Sequence, residues 1–312
     1  MKAAVCVRHG SPGTLQVKDV PKPVIKKDEV LVKIIATTVT SGDVVLRKQT
    51  YIEFLLLWPL ARCFFGIKNQ RKKILGHEYA GIIESVGEEI TRFKKGDAVF
   101  GTTGFKGGAH AEFITCPENS IIASIPENLS FEEAAALPIG GVCALHLLNK
   151  VLIQAGESVL IYGASGSIGT YAVQLSKHFK ARVTGVSSSL NLQLVKSLGA
   201  DIVLDYNKED ISNTEEKYDV IFDTVGKFPK SKAKKLLSEN GRYISTHSSP
   251  VKEKQDYLSL IRELTEMGVI KVVIDHIYPL EKIQDAHAYV ESGRKKGNLV
   301  IVVKPVSANQ RL

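Results

Sequence analysis

Residues Tyr162 to Gly169 read Tyr-Gly-Ala-Ser-Gly-Ser-Ile-Gly. Small residues at this spacing let a backbone come close to a phosphate. The dinucleotide fingerprint is Gly-x-Gly-x-x-Gly, and here Ala164, Gly166 and Gly169 fill its three slots. Alanine stands in the first, with Gly163 just ahead of it to make the tight turn. "SVLIYG" before the loop has the composition of a buried strand, and "TYAVQLSKHF" after it that of a helix. A strand that passes into a helix through such residues aims backbone N–H groups and the positive end of the helix dipole at an anion. Gly166 gives a pyrophosphate room to approach, and Gly169 lets the helix pack on the strand. An ordinary strand–helix turn could show the same residues, so the decision falls to the surrounding elements.

The end of the next strand separates the two nicotinamide cofactors. An acid there would hold the ribose 2′-hydroxyl of NADH. The segment Gly185 to Asn191 reads "GVSSSLN" and has no carboxylate. The hydroxyls of Ser187, Ser188 and Ser189 suit a 2′-phosphate better, which predicts NADPH in preference to NADH. No arginine lies in the segment, so the basic partner has to come from elsewhere, and Lys208 or Arg182 could supply it. Serines at a strand end are also plain turn formers.

The other residues able to do chemistry are sparse. His77 and Glu78 stand in "GHEYAG", and Asp43 in "TTVTSGDVVLR". No two of the eight histidines are spaced HxH or HxxxH, and the four cysteines, Cys6, Cys63, Cys116 and Cys143, include no CxxC pair. A local zinc knot and a disulfide framework are therefore not expected. There is no Gly-x-Ser-x-Gly elbow and no motif that reads nucleic acid. The lysines of "KFPKSKAKK" suit an exposed helix face.

These residues have to be positioned by two kinds of architecture. The first hundred residues hold short β-branched runs, "KAAVCV", "EVLVKIIATTV", "YAGIIESVG" and "DAVFGT", separated by turns. They predict a compact barrel-like domain without long helices. A helix is expected to start at Ser130, in "SFEEAAALPIGGVCALHLLNK". Strand and helix patterns then alternate from "SVLIYGA" to "GRYISTH", which predicts a doubly wound parallel sheet. Inside that series the glycine loop reads as a cofactor site. The chain ends on a strand, a helix and a strand.

The bulk properties agree. The chain has 312 residues, 44% hydrophobic, enough for two cores. The net charge of +8 fits a solvated lysine surface. Free thiols and the absence of a signal-like N-terminus predict a cytoplasmic protein. The most apolar run, Phe54 to Ile67, is too short to span a bilayer and is broken by Pro59 and Arg62.

"LGHEYAGIIESVG", "RFKKGDAVFG", "GGAHAEFI", "LSFEEAAALPIGGVCAL", "VLIYGASGSIGTYAVQLSKHF" and "LGADIVLDYNKED" resemble, in order and over nearly the whole chain, the medium-chain dehydrogenases/reductases. The quinone oxidoreductase-like branch is the nearest in pattern. The resemblance implies a GroES-like β-barrel domain over residues 1–123, completed by 275–312, and a Rossmann domain over 124–274, with the active site in the cleft between them. It implies that Gly163, Ser165, Gly166, Ser167, Ile168 and Gly169 cradle the pyrophosphate. It implies that Ser188 and Tyr206 flank the adenosine 2′-phosphate; Ser187 and Asn191 are expected to join them in binding the cofactor, and Asp43 and His77 to line the catalytic cleft. The apolar run 54–67 becomes a lid or a packing loop. Some relatives have an arginine where this chain has Leu190.

Zinc members of the family use two cysteines besides the histidine of "GHE". This chain has Gly42 and Asp43 in the first of those segments and Gly140 at the second, with Cys143 three residues late. Catalytic zinc is not expected, and without a Lewis acid alcohol oxidation is disfavoured. The expected activity is NADPH-dependent hydride transfer to a quinone or an α,β-unsaturated carbonyl. The expected partner is a small electrophile with an apolar ring or chain. Zinc-type alcohol dehydrogenase and non-catalytic NADPH binding are the alternatives. The family expectation of a homodimer meets a segment near 245–256 that looks trimmed where relatives place an edge strand.

Overall fold

The computed structural model describes residues 1–48, 74–208, 210–211, 214–247 and 253–304. The expected lid at 54–67 and Cys63 lie outside the described residues. The chain divides into two compact units, Met1–Pro138 with Ile274–Leu312, and Ile139–Val273.

The first unit is built on one long strand. An antiparallel hairpin, β1 (Lys2–Cys6) and β2 (Leu15–Asp19), precedes β3 (Glu29–Thr38). All but one residue of β3 are buried, because it pairs with strands on both sides. Helix α1 (Ser41–Lys48) follows, then β4 (Glu78–Val86), β5 (Ala98–Thr102), β6 (Phe113–Pro117), β7 (Ile122–Ser124) and the short helix α2 (Phe131–Ala135). The barrel expected from the sequence takes the form of an open path: with β13 (Ile274–Pro279) and β14 (Asn298–Val302) from the last segment of the chain, the order is β13-β14-β3-β4-β5-β7, and β6 pairs with β3. No ladder among the described residues closes it.

Helix α1 was not legible as a period. Its eight residues are too few to show one, yet its charges are placed for a helix, with Asp43 in the first turn and Arg47 and Lys48 in the last. The helix expected from Ser130 is in fact two. Ser130 and Glu133 form a reciprocal capping box on α2. Pro138, which cannot continue a helix but can begin one, then opens α3 (Pro138–Lys150).

The second unit continues with β8 (Ser158–Tyr162), α4 (Ser167–His178), β9 (Arg182–Ser187), α5 (Leu192–Ser197), β10 (Ile202–Asp205), β11 (Tyr218–Asp223), α6 (Lys230–Leu236), β12 (Leu237–Ser245) and α7 (Gln255–Glu266). Its parallel sheet has the order β10-β9-β8-β11-β12. The central strand β8 buries Val159, Leu160 and Ile161 completely, as a parallel strand covered on both faces requires. The strand order reverses between β8 and β11, the place where open α/β sheets bind ligands. The chain then returns to the first unit with β13 (Ile274–Pro279), α8 (Ile283–Glu291) and β14 (Asn298–Val302). No helix among the described residues is long and apolar enough to cross a membrane.

Helix α1, which carries Asp43, is tied to α8. The fully buried Arg47 donates to the Gly10 carbonyl and to Glu291, and Lys48 shares Glu291. Breaking a buried pair leaves an uncompensated charge and costs about 3–5 kcal/mol. Lys48 stays on the partly exposed Glu291, so Arg47→Met is expected at the low end of that range. Thermal unfolding checks it; a variant that melts with the wild type would show that the pair carries no stability.

Candidate functional site

The glycine loop is held from three sides. The amides of Gly163 and Ala164 both donate to the Val186 carbonyl, at 3.0 and 2.9 Å, which ties the loop to β9. The Gly166 amide returns to the Gly163 carbonyl at 3.0 Å. From β11, the Thr224 hydroxyl reaches the carbonyls of Tyr162 and Gly163, at 2.9 and 3.1 Å. Gly163 has φ +82°, a conformation that favours glycine. This settles the irregular spacing. Gly163 makes the turn, and Ala164 is buried in the core.

The remaining glycines have different physical duties. A Cβ on Gly169 would stand 2.1 Å from the Gly163 carbonyl oxygen and 2.8 Å from Ala164 backbone atoms, so the fold itself demands glycine there. A Cβ on Gly166 would meet only that same oxygen, at 3.3 Å, on a backbone with φ −77° that any residue adopts. The fold presses on residue 166 far less than on 169: the contact is tight, but the oxygen need yield only a few tenths of an ångström. The fold leaves open space at the N-cap of a twelve-residue helix that has no side-chain cap, where the first-turn amides of Ser167 and Ile168 belong to the helix end. A pyrophosphate fits that cradle.

The serines at the end of β9 are not equivalent. Ser187 is buried, its hydroxyl turned to the Ser188 carbonyl at 3.4 Å, so it does not join the other expected ligand-facing residues. Ser188 is half-exposed, and its hydroxyl accepts from Asn191 Nδ2 at 3.1 Å. The same Asn191 nitrogen lies 3.3 Å from Ser165 Oγ, which links this segment to the glycine loop. Ser189 donates to Asp205 at 2.5 Å. That bond, with the Asn207 amide, holds the Asp205 carboxyl below its ordinary range. Tyr206 is exposed, and its amide donates to the Ser187 carbonyl at 3.2 Å. Arg182, one of the two expected phosphate partners, opens β9 at the strand end opposite Ser187 and is bound to Glu216. It is removed from the site.

Asp223 was missed by sequence reasoning. Fully buried at the end of β11, it accepts from the amides of Val225, Gly226 and Phe228 at 2.8–3.0 Å, and so shapes the loop that carries Thr224. The signal was "DTVG", an acid followed by a glycine in a strand-ending turn.

In the first unit, Asp43 and His77 do meet. His77 Nδ1 lies 2.8 Å from Asp43 Oδ1, which also accepts from the Gly76 amide at 2.9 Å. The other oxygen accepts from the Thr40 amide and hydroxyl, at 2.8 and 2.7 Å. Burial opposes the charge of Asp43, but the charge and hydrogen bond of His77 outweigh it, aided by His110 and His287, and hold the carboxyl well below the usual range. Both oxygens are thereby committed. Thr38 donates to Glu78 Oε2 at 2.5 Å. Among the described residues, no three His, Cys, Asp or Glu are grouped to hold a metal ion.

Behind Asp43 lies a pair of histidines, His110 and His287, that no sequence motif brings together. His110 donates through Nε2 to the Thr38 carbonyl at 2.8 Å, and its ring meets that of His287 edge-on at 5.7 Å. Both are fully buried, and neither nitrogen of His287 has a hydrogen-bond partner among the described residues. Burial, reinforced by His110, pushes His287 down to about 3, with Asp43 opposing and Arg47 assisting. Burial also lowers His110.

Two outcomes follow. Gly166→Val is expected to abolish cofactor binding with only a small change in melting, whereas Gly169→Val is expected to unfold the second unit; equal loss of stability in both would contradict the assignment of Gly166 to a ligand. The histidines set a pH dependence. Their folded pKa values lie below the unfolded ~6.5, so unfolded chains bind protons first as pH falls. Stability is full above about pH 6.5 and declines below it, by up to about 1.4 kcal/mol per pH unit per histidine, with the His287 contribution running down to about 3. His287→Leu is expected to flatten the fall in Tm between pH 7 and 4.5, and parallel wild-type and variant curves would refute the linkage.

Family models cover most of the chain. The alcohol dehydrogenase GroES-like domain matches residues 26–127, and the zinc-binding dehydrogenase models match 167–247 and 245–301. A 2-methylene-furan-3-one reductase from Solanum lycopersicum is 33% identical over 96% of this chain and 79% of its own length. An NADPH-dependent alkenal/one oxidoreductase, chloroplastic, from Arabidopsis thaliana is 29% identical over 98% of this chain and 80% of its own. The structure of the quinone oxidoreductase from Coxiella burnetii superposes with TM-score 0.86 at 25% identity, covering 97% of this chain and 99% of that one. A reverse turn opened by a residue with φ +82°, a helix pressed onto it through a second glycine, and this likeness across nearly the whole length have one origin: the chain belongs to the medium-chain dehydrogenase/reductase superfamily, in its quinone oxidoreductase-like branch.

Proposed function

We propose that the protein uses NADPH to reduce a quinone or an α,β-unsaturated carbonyl without catalytic zinc. The activity class is that of the branch, an NAD(P)H-dependent oxidoreductase. The observation that carries the cofactor site is Gly166, where a Cβ would meet a single atom, the Gly163 oxygen at 3.3 Å, and otherwise open space at a helix end with no side-chain cap. When bound, the cofactor supplies the hydride. Gly163 and Gly169 keep the loop in its closed turn, and Ser165, Gly166, Ser167 and Ile168 present the backbone to the pyrophosphate. Ser188, Asn191 and Tyr206 face the adenosine side. We assign the unit with the parallel sheet to cofactor binding and the other unit to the acceptor.

In the acceptor unit, His77 has its ring fixed by Asp43, and we give it the role of orienting the acceptor's oxygen. Carboxylate-fixed histidines commonly serve metals. Here the donor set does not fit one. The cysteines of the zinc members are absent from the sequence, and each Asp43 oxygen already accepts two hydrogen bonds. Hydride transfer to an electron-poor acceptor asks for positioning rather than for a Lewis acid. Among the described residues Cys6, Cys116 and Cys143 are free, buried thiols, which supports a reducing, cytoplasmic setting. A homodimer, if formed, would have β12 as one exposed edge of its sheet.

The test is steady-state oxidation of NADPH and NADH against a panel of quinones, enals, enones and alcohols, with elemental analysis of the purified protein. Turnover of quinones or enones with NADPH, insensitivity to chelators and well below one zinc per chain are expected. Activity confined to alcohols, or stoichiometric zinc lost together with activity, would overturn the reading.

A further inference from the structure

A 2′-phosphate carries close to two negative charges and is held by a cation together with hydroxyl or amide donors. The segment that follows β9 supplies no cation. Of the two basic residues that could stand in, Arg182 is excluded by its strand. β9 runs from Arg182 to Ser187, and five residue steps of about 3.3 Å put roughly 16 Å between the ends. Its guanidinium is also held at the far end by Glu216 and by Ser158 Oγ, the latter at 3.2 Å.

Lys208 stands at the correct end. β10 pairs with β9 so that Asp205 lies opposite Ser187. The chain then turns: the Tyr206 amide bonds the Ser187 carbonyl, and the Lys208 amide closes the turn on the Asp205 carbonyl at 3.1 Å. Lys208 is exposed and makes no ion pair among the described residues. It lines a pocket of about 310 Å³ together with Tyr162, Tyr206 and Phe228, whose rings lie 6.3 and 4.9 Å from that of Tyr162. The other lysine on that pocket, Lys232, is engaged by both oxygens of Asp210, at 2.9 and 3.1 Å.

The donors at this corner sort themselves as well. The Ser187 hydroxyl donates to the Ser188 carbonyl and the Ser189 hydroxyl donates its hydrogen bond to Asp205. Ser188 accepts from Asn191 and so keeps its own proton to donate. Asp205 places a negative charge nearby, but its oxygens are occupied by Ser189 and the Asn207 amide.

We propose that Lys208 is the cation that recognises the 2′-phosphate, acting with the Ser188 hydroxyl, so that the charge for cofactor selection comes from the turn after the third strand of the sheet domain and not from the segment after the second. The proposal rests on NADPH being the cofactor. Aromatic rings of Tyr162 and Tyr206 on the same pocket offer surfaces to the adenosine.

The experiment compares adenosine 2′,5′-bisphosphate with adenosine 5′-monophosphate by calorimetry, in wild type, Lys208→Gln and Lys208→Arg, at two salt concentrations. Wild type is expected to favour the bisphosphate. Lys208→Gln should lose roughly tenfold in bisphosphate affinity, less at high salt, while monophosphate binding stays within about twofold and melting is unchanged; Lys208→Arg should restore most of the loss. The kcat/KM ratio for NADPH over NADH should fall in parallel. A wild type that does not distinguish the two nucleotides would sink the NADPH reading and this proposal together. A wild type that favours the bisphosphate while Lys208→Gln does too, undiminished, would sink the lysine assignment alone. So would equal loss of both nucleotides.

Discussion

The Gly163 carbonyl oxygen governs the second unit. It accepts from the Gly166 amide and from the Thr224 hydroxyl, and it would stand 2.1 Å from a Cβ at residue 169. One oxygen therefore fixes the turn, couples it to β11 and sets how closely α4 packs on the loop. Close packing aims the helix end at the loop's open side, where Gly166 leaves room. Thr224 holds its place because Asp223 gathers three amides of the following turn. The strand order reverses between β8 and β11, so this cross-brace joins the two strands whose ends form the crevice.

The first unit depends on a buried charge. An ionised carboxylate in a core is tolerated only when it is fully hydrogen-bonded and paired. Asp43 meets both conditions through Thr40, Gly76 and His77. The cost is conformational. Gly76 has φ +91°, and a Cβ there would meet His110 Cδ2 at 2.5 Å. The loop that carries His77 is thus wedged between Asp43 and the His110–His287 pair. Burial lowers the pKa of both imidazoles, so the pair resists protonation. Lys295 is drawn the same way: burial lowers it to about 8, against the pull of Glu78, Asp275 and Asp43.

Much of this was legible in the sequence, for local reasons. The glycine loop declares itself because its chemistry lies in consecutive residues, and the parallel sheet because apolar runs alternate with helical periods. Contacts between distant segments were not legible. The meeting of His110 with His287 requires α8 to return beside β6's entry loop, and no pattern in either segment announces it. The turn built on Asp223 depends on a loop path. Helix α1 is shorter than the window in which periodicity shows. The error on Arg182 was of another sort. A strand's first and last residues lie at opposite edges of a sheet, so the strand's own length already placed that guanidinium away from the serines. Ser187 is the last residue of a strand buried on both faces, whereas Ser188 already lies beyond it.

The two units reach specificity by unlike means. Around the glycine loop, recognition comes from what is missing: a Cβ at 166, a side-chain cap on α4, a carboxylate in the segment after β9. A polyanion is drawn to such a place because backbone donors are already oriented and pay no reorganisation when charge arrives. Around Asp43, every polar atom of the carboxylate is already matched, and the matching fixes one histidine. A site of that kind has little capacity to bind a cation and much capacity to hold a ring still. Reduction of a conjugated carbonyl or quinone places its main demand on alignment between donor carbon and acceptor, because the acceptor's own conjugation takes up the negative charge that hydride addition creates. On the proposed reading, an imidazole held by Asp43 in one unit and a helix end left open at Gly166 in the other each supply one part of that demand. Oxidation of a simple alcohol would instead require a group that withdraws a proton from the hydroxyl before hydride can leave, and the hydrogen bonds already committed at Asp43 leave that carboxylate poorly placed to supply one.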